Sequence, residues 1–480
     1  MGIPQPRPHL VDTLLGSSSG KLGFGLVGAS NASPVGLGAS WIRVVPSSEP
    51  PTIWMTSTPG TASASQASRE STATGKRSST VSSVQSVPRS GGEDVTATMG
   101  LEDLVGRSGE LKAELIEFSR KPRYRQAFRE VAVPLLGEDC VIGEGKLIDI
   151  LDRLVLQHRL PGGQTIVEQF VASRSDLPAP ERDMLLGWRD VVEGIFEVVR
   201  RDGEVLIVTN LVDELTYRVR SNMGGEVFRV LRPRSYMIAR LVPMGSEWLV
   251  SGVIHPILRG GRKVAYGIAA ELVMKCPELL FRNPSLLERG WEQQRSDCER
   301  FVRFFGTDMV LIEGTELAER MRQYAAFSRR EVLAELAAQE IDSLANRSLV
   351  EFDFPPALVE SGTVAVIYDE TDGLAFFGGF GEFERAFTDP ALLDQRRYRQ
   401  RVVDYLDDDS VSPLPFRRMA DRDPTRASEV LRLVLGRKSF DWQRDGEKLM
   451  RQRKRPFFDR APLPRLLPIS ARLAPYVGSP

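Results

Sequence analysis

The chain has 480 residues, of which 42% are hydrophobic and 26% charged, and its formal net charge is −1. This length allows about two or three domains with cores of their own, and both fractions are ordinary for a soluble globular protein. No apolar run approaches the roughly 18 residues that a transmembrane helix needs, so we expect no membrane partner. Three cysteines and three histidines argue against a disulfide framework and a His-rich zinc site, and favour a cytoplasmic protein.

The near-neutral net charge is distributed unevenly along the chain. Residues 1–90 carry a net charge of +4, residues 410–480 carry +9, and the residues between them carry −14. A basic segment of this kind attracts either an anionic partner or the acidic part of its own chain. The sequence leaves both interpretations open.

Residues 1–98 lack the pattern of a folded domain. Ser, Thr, Gly, Ala and Pro dominate, and the apolar residues follow neither a helical nor a strand period, which is typical of a disordered tail. The alternative is that the protein starts at Met99, where the composition becomes globular. Gly23–Gly28 matches the G-x-G-x-x-G pattern, but it lacks the preceding strand and the following helix that a dinucleotide site requires.

Helical periodicity extends from residue 99 to residue 190. Leu111, Leu115 and Phe118 are spaced i, i+4 and i+7, so they share one helix face. A second apolar stripe consists of Leu147, Ile150, Leu151, Leu154 and Val155. The pattern predicts a helical region over residues 99–190.

Five short segments rich in β-branched and aromatic residues follow, each bounded by turn residues. They are Gly194–Val199, Glu204–Asn210, Glu214–Arg220, Tyr236–Val242 and Trp248–Ile254. Five strands at this spacing predict a small antiparallel β-barrel or meander over residues 191–258. Alternation places Leu206, Leu215, Tyr217, Leu241 and Leu249 inside. It places Arg218, Arg220 and Arg240 on a wet outer face, which is either a nucleic-acid surface or simply solvated.

This part of the chain resembles uncharacterised bacterial proteins. The resemblance is carried by Gly187–Asp190, Leu211–Tyr217 and Ala239–Pro243, and it covers about 80 residues. It implies a small barrel and no particular activity. His255, which precedes Pro256 after the last strand, is predicted to be a packed side chain.

Three further segments complete the predicted organisation: a helical region over 259–347, a small α/β segment over 348–409 and a basic C-terminal segment over 410–480. Asp369–Gly373 is typical of a hairpin turn, and the carboxylates of Asp404–Asp409 are predicted to be solvated at a helix end. The fold class is therefore α+β, with helical regions that flank the barrel and a disordered N-terminal tail.

The predicted function is that of a cytoplasmic, non-enzymatic interaction or regulatory protein without a cofactor, with nucleic acid or another protein as candidate partner. Cationic side chains next to Phe457 and Phe458 are typical of nucleic-acid contacts. The candidate residues are Lys448, Arg451, Arg453, Lys454 and Arg455, together with Arg218 and Arg240 in the barrel. The alternative is a hydrolase that holds a divalent metal through the carboxylates of 369–372 or 404–409. The sequence itself identifies neither a catalytic residue nor a metal-binding set.

Overall fold

The computed structural model describes residues 42–45, 52–55, 100–135, 144–257, 261–335, 352–459 and 461–477. The chain is an α+β protein with helical regions on both sides of a small barrel, as the sequence predicts. The helices of this part are α1 (Leu101–Ser119), α2 (Arg125–Leu135), α3 (Glu144–Leu156), α4 (Ile166–Ala172), α5 (Ala179–Gly187), α6 (Gly261–Lys275), α7 (Pro284–Phe305), α8 (Leu317–Glu335), α9 (Pro356–Val359), α10 (Phe380–Thr388), α11 (Arg396–Asp407), α12 (Leu414–Arg422), α13 (Pro424–Leu435) and α14 (Glu447–Arg453). The strands are β1 (Ile42–Val45), β2 (Thr52–Met55), β3 (Val192–Asp202), β4 (Val205–Asn210), β5 (Thr216–Arg220), β6 (Tyr236–Met244), β7 (Glu247–Val250), β8 (His255–Ile257), β9 (Met309–Glu313), β10 (Thr363–Asp369), β11 (Gly373–Phe377) and β12 (Leu466–Pro468).

Helices α1 to α5 share one hydrophobic core with the adjoining end of the barrel. The predicted stripe Leu111, Leu115 and Phe118 is buried in it, together with Val242 and Leu249 from the barrel. Burial of each large apolar side chain contributes roughly 1.5–3 kcal/mol. The helical region and the barrel are therefore joined by packing as well as by the chain.

The barrel closes because β3 pairs with β4 on one side and with β6 on the other. The strand order around the ring is β3-β4-β5-β7-β6, and β8 extends the sheet beside β6. The β5–β7 pair is parallel, with Val219 opposite Trp248, whereas the sequence predicts antiparallel pairs throughout. The reason is geometric: strand directions cannot alternate completely around a closed ring of five.

The barrel interior follows the predicted alternation closely. Leu206, Tyr217 and Leu241 are buried, and Leu215 is partly buried. The ring of Tyr217 meets that of Trp248 edge-to-face at 5.1 Å between centroids, a favourable arrangement of two aromatic quadrupoles. The turn between β3 and β4 contains Gly203, whose φ of +60° suits glycine.

Within residues 1–98 the structure describes β1 and β2. These strands form an antiparallel hairpin, and β2 also pairs with β12 near the other end of the chain. The sequence patterns did not predict these two strands. The prediction of disorder for the rest of the segment, and Cys140 further on, lie outside the described residues.

The second half of the chain contains an antiparallel sheet, β9-β10-β11, covered by helices. The predicted hairpin at Asp369–Gly373 is confirmed, because Asp369 pairs with Gly373 and its Oδ1 accepts hydrogen bonds from the backbone N–H groups of Thr371 and Asp372. Helices α10 to α14 pack on one face of this sheet, and α7 and α8 pack on the other.

Strand β12 lies where two hydrophobic cores meet. Leu466 belongs to the core of α7, α8 and the β9-β10-β11 sheet, while Leu467 belongs to the core between α6 and the barrel. The backbone N–H of Arg465 donates to the side-chain carbonyl of Gln294 on α7 at 2.6 Å. The segment that contains β12 therefore joins the barrel half of the molecule to the rest.

Candidate functional site

A polar pocket opens where α3 crosses the β3–β6 side of the barrel, and its volume is about 200 Å³. One part of its wall is apolar and consists of Leu135, Ile238, Ala239 and Val253. The other part consists of ionisable side chains: Lys146, Asp149, Arg153, Glu193, Arg240 and His255. Pockets that combine an apolar wall with a few convergent polar groups are the usual form of small-molecule sites.

Helix α3 supplies three of these charged groups from a single face. Lys146, Asp149 and Arg153 are spaced i, i+3 and i+7, so they lie one above the other along the helix. The adjoining stripe of the helix carries Ile150 and Leu154, which are buried in the core of the helical region. Helix α3 thus packs against the core through its apolar stripe and places its charged stripe against the barrel.

The floor of the pocket is a hydrogen-bonded network centred on Arg240, of which 4% is exposed. Its guanidinium donates to Asp152 Oδ2 at 2.8 Å, to Glu193 Oε2 at 2.7 Å and to Gln157 Oε1 at 2.6 Å. Arg153 donates to the other oxygen of Glu193 at 2.5 Å. A buried guanidinium is tolerated when acceptors of this kind surround it. The prediction that Arg240 lies on a wet face is wrong, because α3 covers this side of the barrel.

Asp152 connects three parts of the structure within this network. Its Oδ1 accepts hydrogen bonds from Lys112 on α1 and from the hydroxyl of Ser251 after β7, and its Oδ2 accepts from Arg240. Burial by itself would raise the pKa of Asp152, but the charges of Lys112 and Arg240 and the hydrogen bonds outweigh that effect and lower the pKa to about 2. Asp152 is therefore ionised and fixes the floor rigidly.

Three other ionisable groups that line the pocket have a different status. Lys146, Asp149 and His255 make no side-chain hydrogen bond or ion pair with any residue that the structure describes. Burial raises the pKa of Asp149, and the nearby charges of His255 and Arg240 only partly oppose it. His255 is exposed at the pocket, so its prediction as a packed side chain is wrong. The pocket thus combines a hydrogen-bonded floor with three ionisable groups that make no side-chain hydrogen bond or ion pair in the described structure.

Sequence reasoning missed this pocket, although the charged side chains of α3 that line it are regularly spaced in the sequence. The charged stripe of Lys146, Asp149 and Arg153 lies on the helix whose apolar stripe was recognised. A regular charged stripe on an amphipathic helix normally faces solvent, so it carries no indication of a pocket. Its partner groups Glu193 and Arg240 come from barrel strands whose positions only the fold reveals.

The predicted basic cluster near the C-terminal end is largely occupied by contacts within the protein. Lys454 is fully buried, and its Nζ donates to the backbone carbonyls of Tyr405, at 2.5 Å, and Asp408. It therefore caps the C-terminal end of α11, where a cation interacts favourably with the helix dipole. Burial lowers the pKa of Lys454 to about 8, against the opposing effect of the neighbouring aspartates. In this position Lys454 cannot contact a phosphate.

The other members of this cluster remain exposed, and three of the four are paired with acids. Arg453 contacts Asp407 at 2.6 Å, and Arg455 contacts Asp459 at 2.9 Å. Arg451 lies 3.4 Å from Glu447. Lys448 has no ion-pair partner among the described residues. The prediction that Asp404–Asp409 are solvated is wrong for the end of α11, because α14 brings Arg453 and Lys454 against it.

The two barrel arginines of the predicted surface lie apart. Arg240 is covered by α3, whereas Arg218 is half-exposed and donates to Glu247 Oε1 at 2.9 Å. Glu247 also accepts from Arg220, which donates to Glu102 as well, so both outer arginines are paired with acids. Nucleic-acid binding by the remaining exposed residues stays a prediction.

The carboxylates predicted for the alternative hydrolase site contact different parts of the protein. Asp369 holds the turn described above, and its Oδ2 lies 3.6 Å from Nη2 of Arg418. Asp408 accepts hydrogen bonds from the backbone N–H and the hydroxyl of Ser410. In the described ranges, no group of three His, Cys, Asp or Glu side chains is arranged to hold a metal ion. These carboxylates therefore offer no preformed metal centre in that part of the chain.

Comparison with known proteins gives no assignment. No protein-family model, curated protein or solved structure matches this chain. Among the described helices, none has the length and apolar character that a bilayer crossing requires.

Proposed function

We propose that this chain is a cytoplasmic, non-enzymatic regulatory protein that binds a small polar molecule in the pocket between α3 and the barrel. The observation that carries the proposal is the contrast inside the pocket. Its floor is fully hydrogen-bonded, while Lys146, Asp149 and His255 face it without partners in the described structure. A partly buried ionisable group without a partner is costly, and such groups cluster at functional sites.

The position of the pocket supports a regulatory role. One side of it belongs to α3 and the other to the β3–β6 face, so a bound molecule would contact the helical region and the barrel together. A ligand that binds only the folded state stabilises it, by about 2.7 kcal/mol at a concentration 100 times its Kd. Binding would thus tighten the junction between these two parts. The resemblance to uncharacterised bacterial proteins, which we also propose as a family relationship, adds no activity to this picture.

The test is thermal unfolding of the full chain with a library of small polar metabolites of different charge. At least one compound class should raise the Tm of the parent protein, and the rise should be lost in Asp149→Asn and in Lys146→Gln. Asp183→Asn and Lys438→Gln are matched controls, because both side chains are exposed and lie outside the pocket lining. A library that leaves the Tm of the parent unchanged, or a rise that persists in both pocket variants, would contradict the proposal.

We propose nucleic-acid association as a second function, on a narrower surface than the sequence indicated. The guanidinium groups of Arg417 and Arg451 lie 5.6 Å and 4.8 Å from the centroid of the Phe458 ring, and Lys448 is on the same short helix as Arg451. Cations beside an aromatic ring suit a phosphate backbone and its bases. Co-purification with and without nuclease treatment tests this association: nucleic acid that is recovered with the protein only before treatment supports it.

A further inference from the structure

We infer that the molecule bound in this pocket is a zwitterion of amino-acid size, an inference that rests on the proposed function. The evidence is the set of charges that the protein leaves uncompensated there. Arg153 and Arg240 are bonded to Glu193, and Arg240 is also bonded to Asp152, so the two guanidinium groups are matched by two carboxylates. The groups that remain are one ammonium at Lys146, one carboxylate at Asp149 and the imidazole of His255.

These remaining ionisable groups match a ligand that carries one positive and one negative charge. A simple anion would pair with Lys146 but would place a second negative charge beside Asp149. A simple cation would pair with Asp149, but it would leave Lys146 without a counter-charge and would be repelled by it. A zwitterion satisfies both, with its carboxylate toward Lys146 and its ammonium toward Asp149. Bringing like charges together in a partly enclosed site is unfavourable, so this difference decides between the ligand classes.

The placement of the two charges favours an α-amino acid over a longer zwitterion. Lys146 and Asp149 are three residues apart on α3, so their Cβ atoms are separated by roughly 5–6 Å. The ammonium and carboxylate of an α-amino acid are attached to the same carbon, so both can be reached from adjacent turns of one helix. A zwitterion with a long spacer between its charges would require binding groups on two elements that are further apart.

The rest of the pocket sets the size and the character of the ligand. A volume of about 200 Å³ is below the roughly 300–1,000 Å³ of pockets for drug-sized ligands, and it suits a molecule of few heavy atoms. Ile238 and Val253 line the apolar wall, which could cover an aliphatic side chain. The preferred ligands are therefore small amino acids with apolar side chains.

The experiment is calorimetric titration of the full chain with L-alanine, L-valine and L-leucine, and with the N-acetyl and carboxamide derivatives of each. At least one free amino acid should bind. Its N-acetyl derivative lacks the ammonium and its carboxamide lacks the carboxylate, so each should bind tenfold or more weakly. Asp149→Asn and Lys146→Gln should each weaken the free amino acid by a similar factor, whereas Asp183→Asn should not. Circular dichroism of each variant checks that the fold is retained.

The possible failures can be told apart. If the N-acetyl derivative binds as well as the free amino acid, the zwitterion inference is overturned, while the small-molecule pocket stands. The same holds if no amino acid binds but another polar compound raises the Tm in a manner that depends on Asp149. If neither the amino acids nor the wider library gives a response that depends on Asp149 or Lys146, the proposed function fails together with the inference.

Discussion

At the scale of single residues, the two aspartates of α3 have opposite environments although they are three positions apart. Asp152 is surrounded by cations and hydrogen-bond donors, which lower its pKa to about 2. Burial raises the pKa of Asp149, which accepts no hydrogen bond within the described structure. Functional sites commonly contain carboxyl groups whose pKa values are shifted in opposite directions by their surroundings.

The first prediction concerns Asp149. A raised folded pKa means that the folded protein keeps this proton to a higher pH than the unfolded chain does, so the carboxyl lowers stability as the pH rises through that interval. Above that interval Asp149 is ionised in both states, so Asp149→Asn should stabilise the protein, by on the order of 1 kcal/mol. Urea unfolding at pH 7 and pH 4 measures this difference, which should shrink at the lower pH. A destabilised variant at pH 7 would show that Asp149 has a structural partner.

The second prediction concerns Asp152. Its lowered pKa contributes stability that is present above the unfolded value of about 3.9 and is lost as the pH falls toward about 2. Asp152→Asn leaves the charges of Lys112 and Arg240 without their common partner, so we expect a loss of roughly 3–5 kcal/mol. Denaturant unfolding at pH 7 measures it, with Asp183→Asn as the exposed control. A loss below about 1 kcal/mol would mean that Glu193 alone compensates Arg240.

These residue environments could not be predicted from the sequence. Asp152 and Arg240 are 88 positions apart, and only the fold brings α3 across β6. The apolar stripe of α3 predicted that Ile150 and Leu154 are buried, because that pattern is local. Which charged stripe meets solvent and which meets another charged element depends on tertiary packing.

At the scale of secondary-structure elements, local patterns predicted most of the barrel. Alternation predicted the five strands to within a few residues. The parallel β5–β7 pair was missed, because it follows from the closure of the ring and from no single strand. The end of α11 was also misjudged, because the helix that covers it is α14, about forty residues later.

The third prediction concerns this capped helix end. Lys454→Gln removes a buried cation that donates to two carbonyls of α11, so the free energy of unfolding should fall by roughly 1–3 kcal/mol. Lys448→Gln changes an exposed side chain six positions earlier and should stay within about 0.5 kcal/mol of the parent. Thermal and urea unfolding compare the two variants. Equal stability of both would show that Lys454 does not cap α11.

At the scale of the whole molecule, the basic and acidic parts of the chain are brought into contact. The ion pair of Arg453 with Asp407 and the capping by Lys454 place the basic segment against the end of α11. The uneven charge distribution predicted an attraction but left its partner open. The described contacts account for much of the positive charge in 448–455 within the protein itself.

The fourth prediction concerns the salt dependence of nucleic-acid binding. If Lys448 and Arg451 contact phosphates, changing both to Gln should reduce the slope of log affinity against log salt by roughly 0.7–0.9 per lost contact. Arg218→Gln should have a smaller effect, because Glu247 already compensates Arg218. Fluorescence anisotropy with a labelled oligonucleotide over a salt series measures both slopes. Absence of binding by the parent protein at low salt would remove this function.

The position of β12 has a consequence for protein synthesis. The core between the barrel and α6 includes Ile195 and Leu467, which the ribosome adds at very different times. About 190 residues separate the end of α6 from Leu467, so about 10–40 s pass between the synthesis of the two at roughly 5–20 residues per second. The apolar surface of α6 that covers Leu467 stays open during that interval, so a nascent chain paused before residue 461 should be a substrate for chaperones that hold exposed hydrophobic segments.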